Sequence, residues 1–120
     1  MLRYAVAVTL ALAVGSEFST AQPTPCSPMA APTEVQLARR RSAITAARQI
    51  NTEQAKAWAA NKRYASRAEL TGVTISEGFE AQISTDATSY TFSIKDLQDA
   101  CKSAVFSDQK GLIYTATPLQ

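Results

Sequence analysis

FEAQISTDATSYTFSIK, residues 79–95, decides the fold class. Phe79, Ala81 and Ile83 fall on one side of an extended chain, with Glu80, Gln82 and Ser84 on the other. Tyr90, Phe92 and Ile94 alternate in the same way with Thr91, Ser93 and Lys95. Successive side chains of a strand point to opposite faces, so a two-residue period marks a half-buried strand. Between the runs, Thr85-Asp86-Ala87-Thr88 reads as a turn, which makes the pair a hairpin.

Further along, FSDQKGLIY (106–114) repeats the design. Asp108-Gln109-Lys110-Gly111 suits a type I turn with Asp at its first position. Gly111 is expected in the left-handed conformation that closes a bulged hairpin. Cys101–Phe106 and Leu112–Thr117 are the flanking strands, and Ile113-Tyr114 supplies β-branched and aromatic packing. The C-terminal part is therefore expected as a four-stranded antiparallel meander.

Upstream the period changes. From Thr33 to about Tyr64 the chain lacks Gly and Pro and is rich in Ala, Gln and Arg, which favour helix. Thr33 is the expected N-cap, with Glu34 in the first turn. On a helical wheel Ala43, Ile44, Ala47, Ile50, Ala57 and Trp58 share one face, which Gln54 interrupts. Asn51 with Gln54 resembles a weak internal capping box, so two helices are the alternative to the single helix preferred here. The fold expected is α+β: one long N-terminal amphipathic helix on a four-stranded antiparallel meander, with Trp58 and Tyr64 as core anchors.

The start, MLRYAVAVTLALAVGSEFSTAQPTP, has the layout of a secretory signal peptide. Arg3 precedes an apolar run that is short for a membrane span, and Ser19-Thr20-Ala21 offers a cleavage site after Ala21. The expected organisation is a signal over 1–21, a Pro-rich extended leader over 22–32, and one domain over 33–120. The product would be exported, periplasmic or extracellular, with no membrane span after cleavage; an uncleaved anchor is the competing reading. Cys26 and Cys101 are the only cysteines. In an oxidising compartment they are expected to form one disulfide tying the leader to the third strand. Two thiols, or a lipid anchor at Cys26, are the alternatives; Pro23-Thr24-Pro25 argues against the anchor.

The chain has no histidine. An imidazole base and the usual serine triad are thereby excluded, and zinc would need unusual ligands. Glu77 with Glu80, or Asp96 with Asp99, could act as an acid–base pair, but they read better as solvated loop acids. Asp86 and Asp108 read as turn formers and not as calcium ligands. No catalytic residue, metal site or cofactor is expected, and the chain is not read as an enzyme.

Charge is more informative. Residues 33–67 carry eight Lys/Arg and two acids, while 68–120 carry three Lys and seven acids. Arg41, Arg48, Lys56 and Arg63 gather on one helix side, extended by Arg39 and Arg40. That side is the candidate partner-binding surface for an acidic protein or polyanion, its bland alternative being a solvated face. No nucleic-acid motif accompanies it. The apolar loop around Leu70, Val73 and Ile75 is the second candidate surface.

Three segments, AITAARQINTEQAKAWAANKRYASRAEL (43–70), SYTFSIK (89–95) and FSDQKGLIY, occur in the order and spacing of a bacterial pilin domain. Together they resemble the globular part of type IV pilins and pseudopilins: a helix leading into a Tyr-to-Leu loop, a central strand, and a closing Asp-x-x-Gly hairpin. The resemblance implies a helix-on-meander fold and a non-catalytic role with pilus or secretion-system proteins as partners. It also implies a departure. A pilin has a short basic leader ending in Gly before a mature Phe, then a long apolar helix with Glu at its fifth position. Here only polar, Pro-rich sequence follows Gly15-Ser16-Glu17-Phe18, and Arg39-Arg40-Arg41 stands where a filament helix stays weakly polar. The expectation is a soluble pilin-like domain unable to enter a filament by the usual route.

Overall fold

The structure, a computed structural model, describes Cys26 and residues 30–117. The signal segment expected over 1–21 lies outside the described residues, as does most of the leader. Among the described residues one α-helix, α1 (Glu34–Asn61), is followed by a 3-10 turn (Arg67–Glu69) and four strands. These are β1 (Phe79–Thr85), β2 (Tyr90–Asp96), β3 (Ala104–Asp108) and β4 (Tyr114–Ala116). They form one sheet in the order β1-β2-β3-β4, every neighbour antiparallel. The chain is thus α+β, a helix layer on a meander.

Helix α1 begins where a reciprocal pair of bonds satisfies its first N–H groups. The Thr33 hydroxyl accepts from the Gln36 N–H (3.1 Å), and the Gln36 side chain accepts from the Thr33 N–H (2.9 Å). It runs unbroken through Asn51-Thr52-Glu53 and ends at Lys62, in the left-handed conformation with its N–H on the Trp58 carbonyl. Nothing in Asn61-Lys62-Arg63 breaks a helix locally. Contacts beyond the end stop it: the Tyr64 N–H donates to the Ala87 carbonyl of the β1–β2 turn (2.9 Å), and the buried Gln54 side chain holds Ala65.

The buried stripe of α1 is Ala43, Ala46, Ala47, Ile50 and Gln54. Ile44 and Ala57 reach the core from its margins. Trp58, expected as a core anchor, is 36% exposed and stacks on Tyr64 at 4.9 Å. Tyr64 packs edge-on against Tyr90, so the aromatic run enters the core at Tyr64 and not at Trp58.

Burial along β2 alternates: Tyr90, Phe92, Ile94 and Asp96 face the helix. Ile94 pairs with Val105, and Ile83 with Phe92. A one-residue slip would expose Tyr90, Phe92 and Ile94 in place of Thr91, Ser93 and Lys95. At about 1.5–3 kcal/mol for each large side chain, that costs on the order of 5–9 kcal/mol, comparable to a small domain's whole stability. The register is therefore set by β2.

Turn chemistry completes the sheet. Asp86 accepts from the N–H groups of Thr88 (3.1 Å) and Ser89 (2.7 Å) in the β1–β2 turn, with Ala87 at φ 79°. In the β3–β4 turn the Gly111 N–H donates to the Asp108 carbonyl (2.9 Å) and the Lys110 N–H to its carboxylate (2.9 Å). Gly111 has φ 77°, the region where a Cβ is unfavourable.

Two strands differ from expectation. β3 starts at Ala104 and not at Cys101, because Asp99 binds the Cys101 N–H and Lys102 turns left-handed (φ 51°). β4 is confined to Tyr114–Ala116.

Candidate docking surface

The N-terminal half of α1 is fastened to the sheet by one charged clamp. Arg39 Nε and Nη2 each lie 2.7 Å from an oxygen of Asp96, the last residue of β2, in a two-bonded fork. The guanidinium also sits 4.5 Å from the Phe79 ring centroid. Asp96 Oδ1 further accepts from the N–H groups of Gln98 (3.0 Å) and Asp99 (3.2 Å). Burial pushes the Asp96 carboxyl up, but the Arg39 guanidinium and these N–H groups outweigh it and hold it below the usual range. The same fork raises Arg39 against the lowering effect of its own burial. Gly78 has φ 84°, a conformation that a Cβ disfavours, and an added Cβ would also displace the Gln98 amide and Arg39 Nη2, the latter 2.8 Å away.

Next to the clamp is the disulfide. Cys26 and Cys101 are bonded, with Cα atoms 5.1 Å apart. It ties the leader to the β2–β3 connection, one element short of the third strand expected. The Gln36 amide points at the Cys101 sulfur (3.9 Å), so the bridge and the helix cap share a residue.

Helix α1 packs over β3 and β2. β4 is an edge strand whose residues are all exposed. Between the helix's first turns and β4 lies an apolar cleft of about 320 Å³, with walls from Leu37, Ile44, Val105 and Thr115. Arg40 and Arg41 also line it. The Ser103 hydroxyl oxygen in its lining is buried and has no hydrogen-bond partner among the described residues.

The sequence-nominated basic residues divide sharply. Arg41 and Arg48 are exposed on α1 and make no ion pair among the described residues. Lys56 is paired with Glu53 (2.8 Å). Arg63 is not on the helix at all. It lies beyond the Lys62 cap and forks onto Glu69 (2.8 Å). That contact raises Arg63 and, with the Ser66 N–H and hydroxyl, holds the Glu69 carboxyl down to about 2. Of the basic residues expected on this helix side, Arg40, Arg41 and Arg48 make no ion pair among the described residues.

Three other nominations change meaning. Leu70 is buried, and Val73 and Ile75 are half-buried against the core, so the apolar side chains of this loop serve core packing. Asp96 and Asp99 are buried, where they bind arginine and backbone N–H groups, and are not solvated loop acids. Glu77 and Glu80 remain exposed. Asp86 is lowered, first by the Ser89 hydroxyl and N–H groups and then by Thr88, all within its own turn.

Asn51 and Gln54, expected only to interrupt the apolar face or to cap a second helix, are partners of distant groups in and around the core. Gln54, fully buried, donates to the Ala65 carbonyl (2.8 Å) and accepts from its N–H (2.7 Å). Asn51 accepts from the Tyr90 hydroxyl (2.7 Å) and donates to Ser107, whose hydroxyl binds the Leu112 carbonyl (2.7 Å). Burial, with Tyr64 and Asp108 nearby, pushes the Tyr90 phenol up to about 12. The one available signal was their spacing: Ile50, Asn51 and Gln54 sit on or beside the apolar face of the helix.

Each shifted group above is explained by its burial or by a partner that also holds the fold together. Among the described residues no cluster of three His, Cys, Asp or Glu could hold a metal, and no helix is long and apolar enough to cross a membrane. The arrangement is suited to docking: a disulfide-stapled scaffold presenting uncommitted arginines beside an apolar cleft. No protein-family model, curated protein or solved structure matches the chain.

Proposed function

We propose that this chain is an exported, non-catalytic pilin-like domain that works by docking within a pilus- or secretion-type assembly in the periplasm or at the cell surface. One observation carries the docking role: Arg40, Arg41 and Arg48 stand without ion pairs, while Arg39, Lys56 and Arg63 are committed to carboxylates. Cations kept unpaired on a rigid helix raise association rates with acidic partners. The assembly context rests on the sequence resemblance to pilins, and the helix-on-meander architecture is compatible with it. Export rests on the signal-like start and agrees with the disulfide, which belongs to oxidising compartments. A secreted module that grips a separate acidic protein or polyanion through the same arginines is the second reading, favoured by that same set.

The experiment is site-specific photo-cross-linking in the native host, with a benzophenone amino acid at position 41 or 48 of the full chain. The expected result is mature protein beginning at Gln22, cross-linked to an envelope pilus or secretion component identified by mass spectrometry. Protein that keeps Met1, or adducts only to a free secreted polymer or protein, overturns the assembly reading; the second outcome establishes the alternative.

A further inference from the structure

The cleft beside β4 has three features that belong together. Its wall is an edge strand, whose outer backbone N–H and C=O groups have no neighbouring strand among the described residues. Its interior is apolar, and the Ser103 hydroxyl in its lining has no hydrogen-bond partner among the described residues. Its helix side carries Arg40 and Arg41, neither of which is paired with a carboxylate among the described residues.

The geometry points to β4 as an acceptor for an extended acidic peptide segment of a partner protein, added as a fifth, antiparallel strand. This inference rests on the docking role proposed above and names the occupant of that surface. Strand addition satisfies the open edge through main-chain bonds, and alternate side chains decide specificity. Side chains on the helix face of the added strand meet the cleft. An apolar one fits against Leu37, Ile44 and Thr115, and carboxylates two residues to either side reach Arg40 and Arg41. Side chains on the opposite face lie beside Tyr114, which is 57% exposed on β4 and paired with the exposed Phe106. The occupant is acidic because the uncommitted charge on this rim is cationic. It is extended because the rim is a strand.

The surface is shielded from two simpler explanations. Arg39 is already neutralised by Asp96, so the charge offered to a partner belongs to Arg40 and Arg41. Thr115 pairs with Val105 and so lies on the helix side of the sheet, lining the cleft; it is itself exposed, so a bulky residue there fills the cleft from its open side and replaces no buried side chain.

The test uses the disulfide-bonded mature chain and a fluorescein-labelled heptapeptide. The peptide carries Glu, Leu and Glu on one face of an extended strand and Val and Thr on the other. Fluorescence anisotropy is expected to show saturable binding that weakens as salt rises. Arg40→Glu with Arg41→Glu should weaken it about tenfold or more, and Thr115→Trp should abolish it, each with an unchanged far-UV spectrum. Peptide N-methylated at alternate residues should bind on one methylation frame only, since a single frame faces β4. Equal binding of both frames means that charge alone acts, and overturns strand addition. A dimer of the chain that Thr115→Trp dissociates makes a second copy the occupant, and overturns the acidic peptide. Absence of peptide binding, with the cross-link at position 41 intact, overturns this site and leaves the assembly role standing. Binding here without any cross-link in the host overturns the assembly role alone.

Discussion

Replacing Gln54 by Leu is the sharpest test of how this fold is held. Gln54 is fully buried in the apolar stripe of α1, and its amide makes both bonds to the Ala65 backbone. Leu fills a similar volume, so no large cavity opens, but the Ala65 N–H and C=O lose their partners inside a buried segment. Each orphaned backbone group costs about 1–3 kcal/mol. The extra apolar burial of Leu offsets about 1–2 kcal/mol of that. At mid-range values the net loss is roughly 2–3 kcal/mol, a large fraction of the 5–15 kcal/mol typical of a small domain. In urea the midpoint should fall with an unchanged slope. At about 4–8 °C per kcal/mol for this size, the melting temperature should drop by roughly 10–25 °C. Hydrogen exchange adds a local reading: the Ala65 amide should lose protection by more than neighbouring core amides do. A Gln54→Leu variant within about 0.5 kcal/mol of the parent, with Ala65 still protected, would show that the amide does not hold the chain after the helix.

The Arg39–Asp96 clamp predicts the acid limb of stability. Asp96 is held below its usual range, so its contribution is present above the ordinary Asp value near pH 3.9 and is lost as pH falls through the lowered folded value. Arg39→Met removes the lowering partner and leaves burial to raise the carboxyl, so acid unfolding followed by circular dichroism should shift to higher pH; superimposable curves refute the clamp. Gly111→Val should cost at least about 1 kcal/mol through the positive φ alone, since nothing lies within 4 Å of an added Cβ. Asp108→Asn should cost much less, because Asn can accept the same Lys110 bond. Equal chemical-denaturation midpoints for those two variants contradict the turn assignment. Reducing the Cys26–Cys101 bridge, which spans 75 residues of separation, should cost about 4.5 kcal/mol in the chain-entropy model while leaving the α1–sheet core folded. Loss of the far-UV signal on reduction, at a temperature where the oxidised protein is stable, would contradict that.

Local chemistry alone determined a good part of this protein. Thr33 starts the helix through its own hydroxyl, the two-residue alternation of 79–95 places Ile83, Phe92 and Ile94 on one face, and Asp108–Gly111 turns the last hairpin. These features depend on residues within a few positions of one another, and periodicity reports them. The cysteines announced a bridge because there were only two of them. The basic run was equally legible as a run.

What only the tertiary structure decided is which polar residues have distant partners. Gln54 read as a flaw in the apolar face because its partner, Ala65, lies eleven residues on, past the end of the helix. Arg39 and Arg41 look alike in a string of three arginines, yet one is committed to a carboxylate 57 residues away and the other is not. The end of α1 at Asn61, the late start of β3 after the bridged Cys101, and the core position of Leu70 have the same origin. A buried polar group is stable only with a partner, and when that partner is remote in the chain no local pattern can name it. The cleft follows from the same physics: α1 packs over β3 and β2, and the short strand beside them ends the sheet among the described residues, an arrangement that no single segment of sequence encodes.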